Sequence, residues 1–282
     1  MKINTYKIDF IKQVAFFFDH QEAESFFYII LENVHQLKRI DLALHPNIEM
    51  TELQLNRWNE IKNDLKSQKP IQYILGETEF FGLQFKVNEN TLIPRPETEE
   101  LVALILTTNK EHFKNLKILD IGTGSGCIAI SLAKNCANAT VFALDVSVNA
   151  LEVAQINASN NKVAINFINL NILEEHRLNQ QFDIIVSNPP YVRNLEKSEI
   201  NKNVLDFEPH LALFVDDDDA LLFYRKIAQS AQIHLSVNGY LFFEINQYLA
   251  KQTISLLESL NFKNIQLFQD TYGNDRMILC NL

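Results

Sequence analysis

Cysteine is scarce in this sequence, and the few cysteines lack the spacing of metal ligands. The chain has three of them, Cys127, Cys136 and Cys280. Their number is odd, whereas disulfide frameworks use paired cysteines and belong to oxidising compartments. The simplest interpretation is a reduced, cytoplasmic protein without a metal site.

The sequence also lacks any long apolar run. A helix that crosses a bilayer needs roughly 18–20 consecutive apolar residues, and no run in the chain approaches that length. Residues 1–7 contain an early lysine, but they have neither the apolar core nor the small-residue cleavage site of a secretory signal peptide. We therefore expect no signal peptide and no association with a membrane.

A surplus of basic residues is missing as well. Lys and Arg number 25 against 35 Asp and Glu, which gives a net charge of −10. Proteins that engage a phosphate backbone over a large surface normally use basic residues to do so. We therefore expect no direct contact with nucleic acid, although the charge does not exclude a local basic patch. An acidic chain, which we expect to be a monomer, fits a small-molecule substrate or a basic protein partner.

The composition indicates a globular protein of one large domain or two ordinary ones. The chain has 282 residues, of which 47% are hydrophobic. In residues 1–75, apolar side chains recur at helical spacing. A helix predicted at 52–65 has these residues on its inward face: Leu53, Leu55, Trp58 and Ile61. We predict that residues 1–75 form a helical domain that either binds a partner or only packs.

The character of the sequence changes at Pro70, and two further segments are predicted. Residues 76–96 contain aromatic and branched side chains with a glycine at a bend, which indicates a β-hairpin linker. Residues 97–282 form the main domain and begin with a helix, because Pro96 precedes acidic residues in a first helical turn. Arg95 lies between two prolines and has little backbone freedom, so we predict a structural or a site role for it.

Strand and helix patterns alternate after residue 116. Seven strands are predicted, at residues 117–121, 140–145, 164–168, 182–187, 239–245, 264–269 and 276–280. This alternation is typical of an α/β fold with a doubly wound sheet. The link between the last two strands contains Gly273 and is too short for a crossover helix, so we predict that the final strand is antiparallel.

The tetrapeptide Asn188-Pro189-Pro190-Tyr191 directly follows the fourth predicted strand. Proline fixes its own φ and restricts the residue before it, which predicts a stiff loop at the carboxyl end of a strand, where open α/β sheets bind ligands. Such a loop can present the Asn188 side-chain oxygen and the Pro189 carbonyl as two fixed acceptors. Two acceptors suit the two hydrogens of a planar –NH2 group. The alternative is an ordinary turn that ends a strand.

A glycine-rich loop follows the first predicted strand and opens a helix. Its spacing is G-x-G-x-G, which differs from the dinucleotide fingerprint G-x-G-x-x-G, and its glycines allow a backbone to approach a ligand closely. An aspartate ends the next strand, where a carboxylate can accept both hydroxyls of a ribose. We predict a nucleoside-containing cofactor held by Gly122, Thr123, Gly124, Ser125, Gly126 and Asp145. The alternatives are a packing turn and a helix-capping aspartate.

Ribose binding alone does not separate a nicotinamide from S-adenosylmethionine, but the tetrapeptide does. Methyl transfer to nitrogen needs acceptors that orient the lone pair and compensate developing positive charge, whereas hydride transfer does not. We therefore predict S-adenosylmethionine as the cofactor, with Asn188 beside it. Asn171 and Ile172 follow the third strand and are predicted to bond to the adenine and to pack on its face. A turn asparagine and a core isoleucine are the alternatives.

Taken together, these motifs resemble the protein-(glutamine-N5) methyltransferases that modify peptide chain release factors, often called the HemK family. The resemblance covers nearly the whole chain and is carried by residues 72–76, 91–99, 120–126, 187–191, 207–209, 224–225 and 275–276. The Pro-Arg-Pro-Glu-Thr-Glu stretch combined with Asn-Pro-Pro-Tyr is more specific than either part. Asn-Pro-Pro-Tyr alone also occurs in amino-methyltransferases that act on adenine in DNA or RNA.

The resemblance implies a class I S-adenosylmethionine-dependent methyltransferase fold, with a Rossmann-like seven-stranded mixed sheet behind the N-terminal helical domain. The implied reaction is methyl transfer to the glutamine side-chain amide in the Gly-Gly-Gln motif of class I release factors. By this resemblance Asn188 and Pro189 are the catalytic positions, and both bind the substrate together with Pro190 and Tyr191. The helical domain and the hairpin are implied to grip the release factor.

The sequence departs from the family pattern at three places. Asn171 stands where many members have Asp, Asn246 stands where Gly is usual, and the acidic run at 216–219 replaces a glycine-containing turn. We expect all three departures to lie at the periphery of the site, and we interpret the acidic run as a solvated loop and helix start. Glu244, at the end of the fifth strand, either faces the site or caps a helix.

Two other functions are compatible with these residues. An amino-methyltransferase for adenine would hold the exocyclic amine of a flipped base in the same tetrapeptide, although the net charge of −10 argues against it. A non-catalytic scaffold with a cofactor fold is the other alternative. Such a protein would not need the glycine loop, Asp145 or Asn188 to be intact.

Overall fold

The computed structural model describes residues 1–108, 115–174 and 178–282. Two compact units are present, one of Met1–Gly76 with Lys202–Phe207 and one of Glu77–Asn201 with Glu208–Leu282. The helices are α1 Ile3–Val14, α2 His20–His35, α3 Arg39–Leu44, α4 Glu52–Lys66, α5 Ile71–Leu75, α6 Pro96–Thr108, α7 Cys127–Asn135, α8 Val148–Asn161, α9 Lys202–Phe207, α10 His210–Leu213, α11 Leu222–His234 and α12 Ala250–Ser259. The strands are β1 Glu77–Phe80, β2 Leu83–Lys86, β3 Lys117–Ile121, β4 Thr140–Asp145, β5 Ile165–Asn169, β6 Phe182–Ser187, β7 Val192–Arg193, β8 Phe214–Val215, β9 Leu235–Glu244, β10 Lys263–Gln269 and β11 Asp275–Asn281.

The first unit is helical, and side chains cap the starts of its two longest helices. The Asp19 carboxylate accepts the backbone N–H of Glu22 at 2.8 Å at the start of α2. At the start of α4, Thr51 and Gln54 form a reciprocal capping box. Each cap satisfies backbone donors that have no partner within the first helical turn.

The core of this unit is organised around Trp58, which is fully buried. The Trp58 ring packs edge-on against Phe10 and in a tilted arrangement against Phe27, with ring centroids 5.5 and 4.9 Å away. Ile61 is buried on the same face of α4, as the sequence pattern predicts, but Leu53 is 81% exposed. The prediction of an inward Leu53 is wrong because five residues turn a helix by about 500°, which points Leu53 away from the Trp58 face.

The larger unit is built on a seven-stranded sheet in the order β10-β11-β9-β6-β3-β4-β5. Neighbouring strands from β9 to β5 run parallel, whereas β11 is antiparallel to both of its neighbours. The predicted seven-stranded mixed sheet and the antiparallel final strand are therefore confirmed. The chain winds in opposite directions from β3 and β6, and such a switch point leaves a crevice at the carboxyl ends of the strands.

Apolar side chains cover both faces of this sheet. Successive residues of a strand point to opposite faces: Ile118 and Ile184 belong to one buried cluster, whereas Leu119 and Ile185 belong to the other. The first cluster includes side chains of α6 and α7, and the second includes side chains of α11 and α12. The short, mostly apolar runs of β3 and β6 reflect burial on both faces.

The strand bounds follow the prediction to within one residue at each end, except that the fifth strand begins at Leu235 rather than at Gly239. Gly239 lies inside β9, where a Cβ atom would come within 2.9 Å of Leu235 and 3.0 Å of the Asp183 carbonyl oxygen. The glycine therefore permits close contact with β6 and does not mark a strand start.

The predicted hairpin is formed by β1 and β2, with Glu77 opposite Lys86 and Phe80 opposite Leu83. The two turn residues between the strands both have positive φ, 50° at Phe81 and 72° at Gly82. Positive φ at both central positions is the geometry of a tight hairpin turn.

Two general features bear on the class of protein. Among the residues that the structure describes, no helix combines the length and the apolar character that crossing a membrane requires. Within the same described ranges, His, Cys, Asp and Glu side chains form no group of three that could hold a metal ion.

Candidate active site

A cavity of about 300 Å³ opens at the carboxyl ends of β3, β4, β5 and β6. Eight residues that the sequence analysis selected line it: Gly122, Gly124, Asp145, Asn171, Ile172, Asn188, Pro189 and Pro190. The other four, Thr123, Ser125, Gly126 and Tyr191, lie beside it without forming its wall. The fold therefore brings the glycine loop and the tetrapeptide to one cavity, although more than 60 residues separate them in the chain.

The glycine loop has three glycines with positive φ, 74° at Gly122, 55° at Gly124 and 82° at Gly126. A Cβ at Gly122 or Gly124 would meet no atom within 4 Å, so these two positions leave open space on the cavity side. At Gly126 a Cβ would lie 2.9 Å from Ile130 and 3.1 Å from Ala154. Gly122 and Gly124 thus keep room for a ligand, whereas Gly126 allows α7 and α8 to pack closely.

This difference predicts unequal effects of two alanine substitutions. Gly126→Ala is expected to lower the free energy of unfolding by about 2–3 kcal/mol, because strained backbone and an atomic clash add together. Gly124→Ala adds only the strain of positive φ, about 1 kcal/mol. Urea unfolding of both variants measures the difference, and equal losses would contradict the packing role of Gly126.

Asp120 lies near the end of β3, fully buried beneath the glycine loop. Its Oδ2 atom accepts the Thr123 hydroxyl at 2.6 Å and the Ala129 backbone N–H at 3.2 Å, while Oδ1 has no partner. Burial raises the pKa of Asp120 to about 7. The carboxylate therefore ties the loop to the first turn of α7, and Thr123 serves this connection from behind the cavity wall.

Asp145 holds two loops together at the end of β4. Its Oδ2 atom accepts the Gly124 N–H at 2.8 Å, and its Oδ1 atom accepts the Ser147 N–H at 2.9 Å. Burial raises the pKa of Asp145, and these backbone donors act in the opposite direction. Each carboxylate oxygen keeps a further lone pair, so Asp145 can still accept hydrogen bonds from a ligand in the cavity.

Asn171 and Ile172 follow β5 and also line the cavity. The Asn171 side chain accepts the Leu173 N–H at 3.1 Å and donates to Glu174 at 3.0 Å, which closes its own turn. Ile172 is 9% exposed and belongs to the core cluster as well as to the cavity lining. Both residues therefore have a structural role and also face the cavity.

The tetrapeptide is tied to the sheet at both of its ends. The preceding Ser187 donates its hydroxyl to the Ile121 carbonyl at 2.7 Å, which joins β6 to β3. The Asn188 Nδ2 donates to the Thr98 hydroxyl at 3.2 Å. At the other end, the Tyr191 hydroxyl donates to Glu244 at 3.1 Å. Pro189 and Pro190 lie between these two anchors and face the cavity.

Glu244 faces the tetrapeptide and does not cap a helix. Its Oε2 atom accepts the Thr98 hydroxyl at 2.7 Å, and its Oε1 atom accepts the Tyr191 hydroxyl. Burial raises the pKa of Glu244, whereas the bonds from Thr98 and Tyr191 and the charge of Arg276 favour its ionised form. Burial and the nearby Glu244 charge also raise the pKa of Tyr191 well above its usual range. Thr98 was not predicted as a site residue, although it lies in the proline-flanked stretch that carries the family resemblance. Other residues of the cavity wall, among them Asn90 and Ser147, were not predicted either.

Arg95 has a structural partner. Its guanidinium pairs with the buried Glu208, whose other oxygen accepts the Ile93 N–H at 3.1 Å. Pro209, next to Glu208, lines the cavity. Of the two predicted roles for Arg95, structural or in the site, the structure supports the structural one. The ion pair holds the segment before α6 against the rim of the cavity.

Two of the three departures from the family pattern are not peripheral, because Asn171 lines the cavity and Asn246 lies beside the tetrapeptide. Asn246 is 5% exposed, and its Nδ2 donates to the Tyr191 carbonyl and to Glu196 Oε2, each at 3.0 Å. The expectation of a peripheral Asn246 is wrong because β9 ends beside the tetrapeptide. The acidic run is exposed at residues 216–218, as predicted, whereas Asp219 pairs with Arg225 at 2.8 Å.

Two family models and a solved structure match large parts of this chain. The family model of the methyltransferase small domain matches residues 99–207, and that of the PrmC N-terminal domain matches residues 12–76. A solved methyltransferase from Pyrococcus furiosus is 19% identical, with a TM-score of 0.52, and the match covers 82% of this chain and 98% of that one. At this identity the likeness concerns the fold alone.

Relatives with similar sequences match almost from end to end. A release factor glutamine methyltransferase of Flavobacterium psychrophilum is 65% identical over 283 residues, covering 100% of this chain and 99% of its own. Another, of Bacteroides thetaiotaomicron, is 42% identical over 243 residues, covering 86% of each chain. The chain belongs to the family of release factor glutamine methyltransferases.

Proposed function

We propose that this protein transfers a methyl group from S-adenosylmethionine to the side-chain amide nitrogen, N5, of a glutamine. The substrate would be the Gly-Gly-Gln motif of class I peptide chain release factors. The observation that carries the proposal is a single cavity lined by both the glycine loop and the tetrapeptide that begins at Asn188. The names of the two relatives described above support the choice of substrate.

The residues of the cavity fit a nucleoside cofactor. Gly122 and Gly124 leave open the space that side chains would fill. Asp145 would accept hydroxyls of the ribose, and Asn171 and Ile172 would contact the base. When bound, S-adenosylmethionine supplies a methyl group that its positively charged sulfur already activates. The protein therefore has to contribute mainly position and electrostatics.

The tetrapeptide would hold the substrate amide. The Asn188 side-chain oxygen and the Pro189 carbonyl accept its two N–H hydrogens and thereby orient the nitrogen. An amide nitrogen is a poor nucleophile because its lone pair is delocalised into the carbonyl. Fixed acceptors offset the loss of this conjugation and compensate the positive charge that develops on nitrogen. The tetrapeptide contains no side chain that is a base at neutral pH, and we propose that water takes the proton after the methyl transfer.

The remaining surface would serve the protein partner. We propose that residues 1–75 bind the release factor, that 76–96 link the two domains and that 97–282 carry the chemistry. The net charge of −10 fits a basic protein partner better than a phosphate backbone. Because the proposed substrate acts in translation, the reaction would take place in the cytoplasm.

Mass spectrometry of a release factor after incubation with this protein and S-adenosylmethionine tests the proposal. The expected result is one added methyl group on the glutamine of the Gly-Gly-Gln peptide, absent when the enzyme carries Asn188→Ala. An unmodified glutamine, in the presence of measurable cofactor binding, would overturn the choice of substrate. Adenine in DNA and RNA would then be the next acceptors to test.

A separate prediction concerns the cofactor. Asp145→Ala is expected to weaken the binding of S-adenosylhomocysteine about 10- to 100-fold, because hydrogen bonds to a carboxylate contribute about 1.5–3 kcal/mol. Isothermal titration calorimetry measures the change directly. Glu152→Ala is the matched control, since Glu152 is an exposed acidic residue of the neighbouring helix α8. An unchanged affinity of Asp145→Ala would remove Asp145 from the cofactor site.

A further inference from the structure

Thr98 connects two distant parts of the chain beneath the tetrapeptide. It lies in the first turns of α6 and is 3% exposed. Its hydroxyl oxygen is 3.2 Å from Asn188 Nδ2 and 2.7 Å from Glu244 Oε2. Among the described hydrogen bonds, only those of the Thr98 hydroxyl connect the Asn188 amide with the Glu244 carboxylate.

The direction of these two hydrogen bonds follows from the chemistry of the groups. A hydroxyl has one hydrogen to donate, and an ionised carboxylate can only accept. Burial raises the pKa of Glu244, but both of its oxygens accept hydrogen bonds from hydroxyl groups, Oε2 from Thr98 at 2.7 Å and Oε1 from Tyr191 at 3.1 Å, and the charge of Arg276 favours the carboxylate. The Thr98 hydrogen therefore points to Glu244, and the Thr98 oxygen is left to accept a hydrogen from Asn188.

This direction determines which end of the Asn188 amide faces the cavity. With Nδ2 directed at Thr98, Oδ1 is the free end. If the Asn188 amide were rotated by 180°, its Oδ1 would face the Thr98 oxygen, whose only hydrogen is already donated to Glu244. The –NH2 group of Asn188 would then face the cavity. An –NH2 group cannot accept a hydrogen from the substrate amide, so only one of the two orientations can bind the substrate.

We propose that Thr98 is a positioning residue that fixes the Asn188 amide with its oxygen towards the substrate nitrogen, and that Glu244 orients Thr98. The same carboxylate holds the Tyr191 hydroxyl at 3.1 Å, so it anchors both ends of the tetrapeptide. This inference rests on the proposed function, because it assigns the acceptor of the substrate –NH2 group in that reaction.

Two substitutions at this position separate the hydroxyl from the shape of the side chain. Thr98→Val replaces the hydroxyl by a methyl group of similar size and is expected to lower kcat/KM for the release factor about 10- to 100-fold. Thr98→Ser keeps the hydroxyl and is expected to stay within about threefold of the wild type. Calorimetry should give an unchanged affinity for S-adenosylhomocysteine in both variants.

A loss of stability must be separated from a loss of positioning. Thr253→Val is the matched control: Thr253 is fully buried in the same unit, its hydroxyl donates to the Leu249 carbonyl at 2.9 Å, and none of the described hydrogen bonds joins it to the tetrapeptide. We expect Thr253→Val to lower the unfolding temperature without lowering kcat/KM. Thr98→Val should lower kcat/KM even at temperatures well below its own unfolding transition.

A double-mutant cycle with Asn188→Ala gives the deciding measurement. If Thr98 acts through Asn188, the double variant has the same kcat/KM as Asn188→Ala alone. Independent, multiplying losses would overturn the inference, and so would a Thr98→Val enzyme as fast as the wild type. A wild type that leaves the glutamine unmethylated would overturn the proposed function and this inference with it. The two failures are therefore distinguishable.

Discussion

Asn188→Ala is expected to lower kcat for glutamine methylation at least about a hundredfold. Removal of one fixed hydrogen-bonding group that stabilises charge in a transition state typically has an effect of that size. The substitution deletes the acceptor at the cavity wall and removes the N–H donor to the Thr98 hydroxyl, which keeps its bond to Glu244. Methyl incorporation into a release factor, measured with saturating S-adenosylmethionine, gives the rate.

The cofactor should still bind to this variant. The glycine loop and Asp145 are held by their own hydrogen bonds, none of which involves Asn188. We therefore expect the affinity for S-adenosylhomocysteine to change less than about threefold. Asn160→Ala is the matched control, because Asn160 is an exposed asparagine on α8. Comparable rates in Asn188→Ala and the wild type would exclude the proposed mechanism.

Local sequence patterns were sufficient to predict most of the sheet. β3 and β6 are buried on both faces, and their short apolar runs end in a glycine loop and in paired prolines. These endings mark the carboxyl ends of neighbouring strands, so the sequence could predict that the glycine loop and the tetrapeptide lie at one edge. The start of β9 was predicted wrongly at Gly239, because the sequence does not distinguish a glycine that permits a close contact from a glycine that forms a turn.

The network behind the tetrapeptide could not be predicted in this way. Thr98 is separated from Asn188 by 90 positions and from Glu244 by 146. Their meeting depends on the strand order, which places β9 next to β6, and on the position of α6 against this part of the sheet. No local pattern of polar residues distinguishes Thr98 from an ordinary residue of a first helical turn.

The role of Asn246 could not be predicted from the sequence either. The sequence shows a departure from the family pattern, which by itself indicates neither gain nor loss. The structure gives the Asn246 Nδ2 atom two partners, the Tyr191 carbonyl and Glu196. Since Glu196 also pairs with Arg193, the segment after the tetrapeptide has an additional anchor that a glycine at position 246 could not provide.

Trp58→Ala is expected to lower the stability of the N-terminal unit by about 3–5 kcal/mol, the usual cost of truncating a buried aromatic residue to alanine. The Trp58 ring is fully buried against Phe10 and Phe27, and its indole N–H donates to His35 Nε2 at 2.9 Å. The substitution therefore leaves a cavity and also removes the partner of a half-buried imidazole.

Urea unfolding followed by far-ultraviolet circular dichroism measures this loss. Trp58 is the only tryptophan of the chain, so its fluorescence in the wild type identifies which part of the transition belongs to the N-terminal unit. Leu53→Ala, on the exposed side of the same helix, is the matched control and should change stability by less than about 0.5 kcal/mol. If both variants unfolded at the same urea concentration, Trp58 would not be the centre of this core.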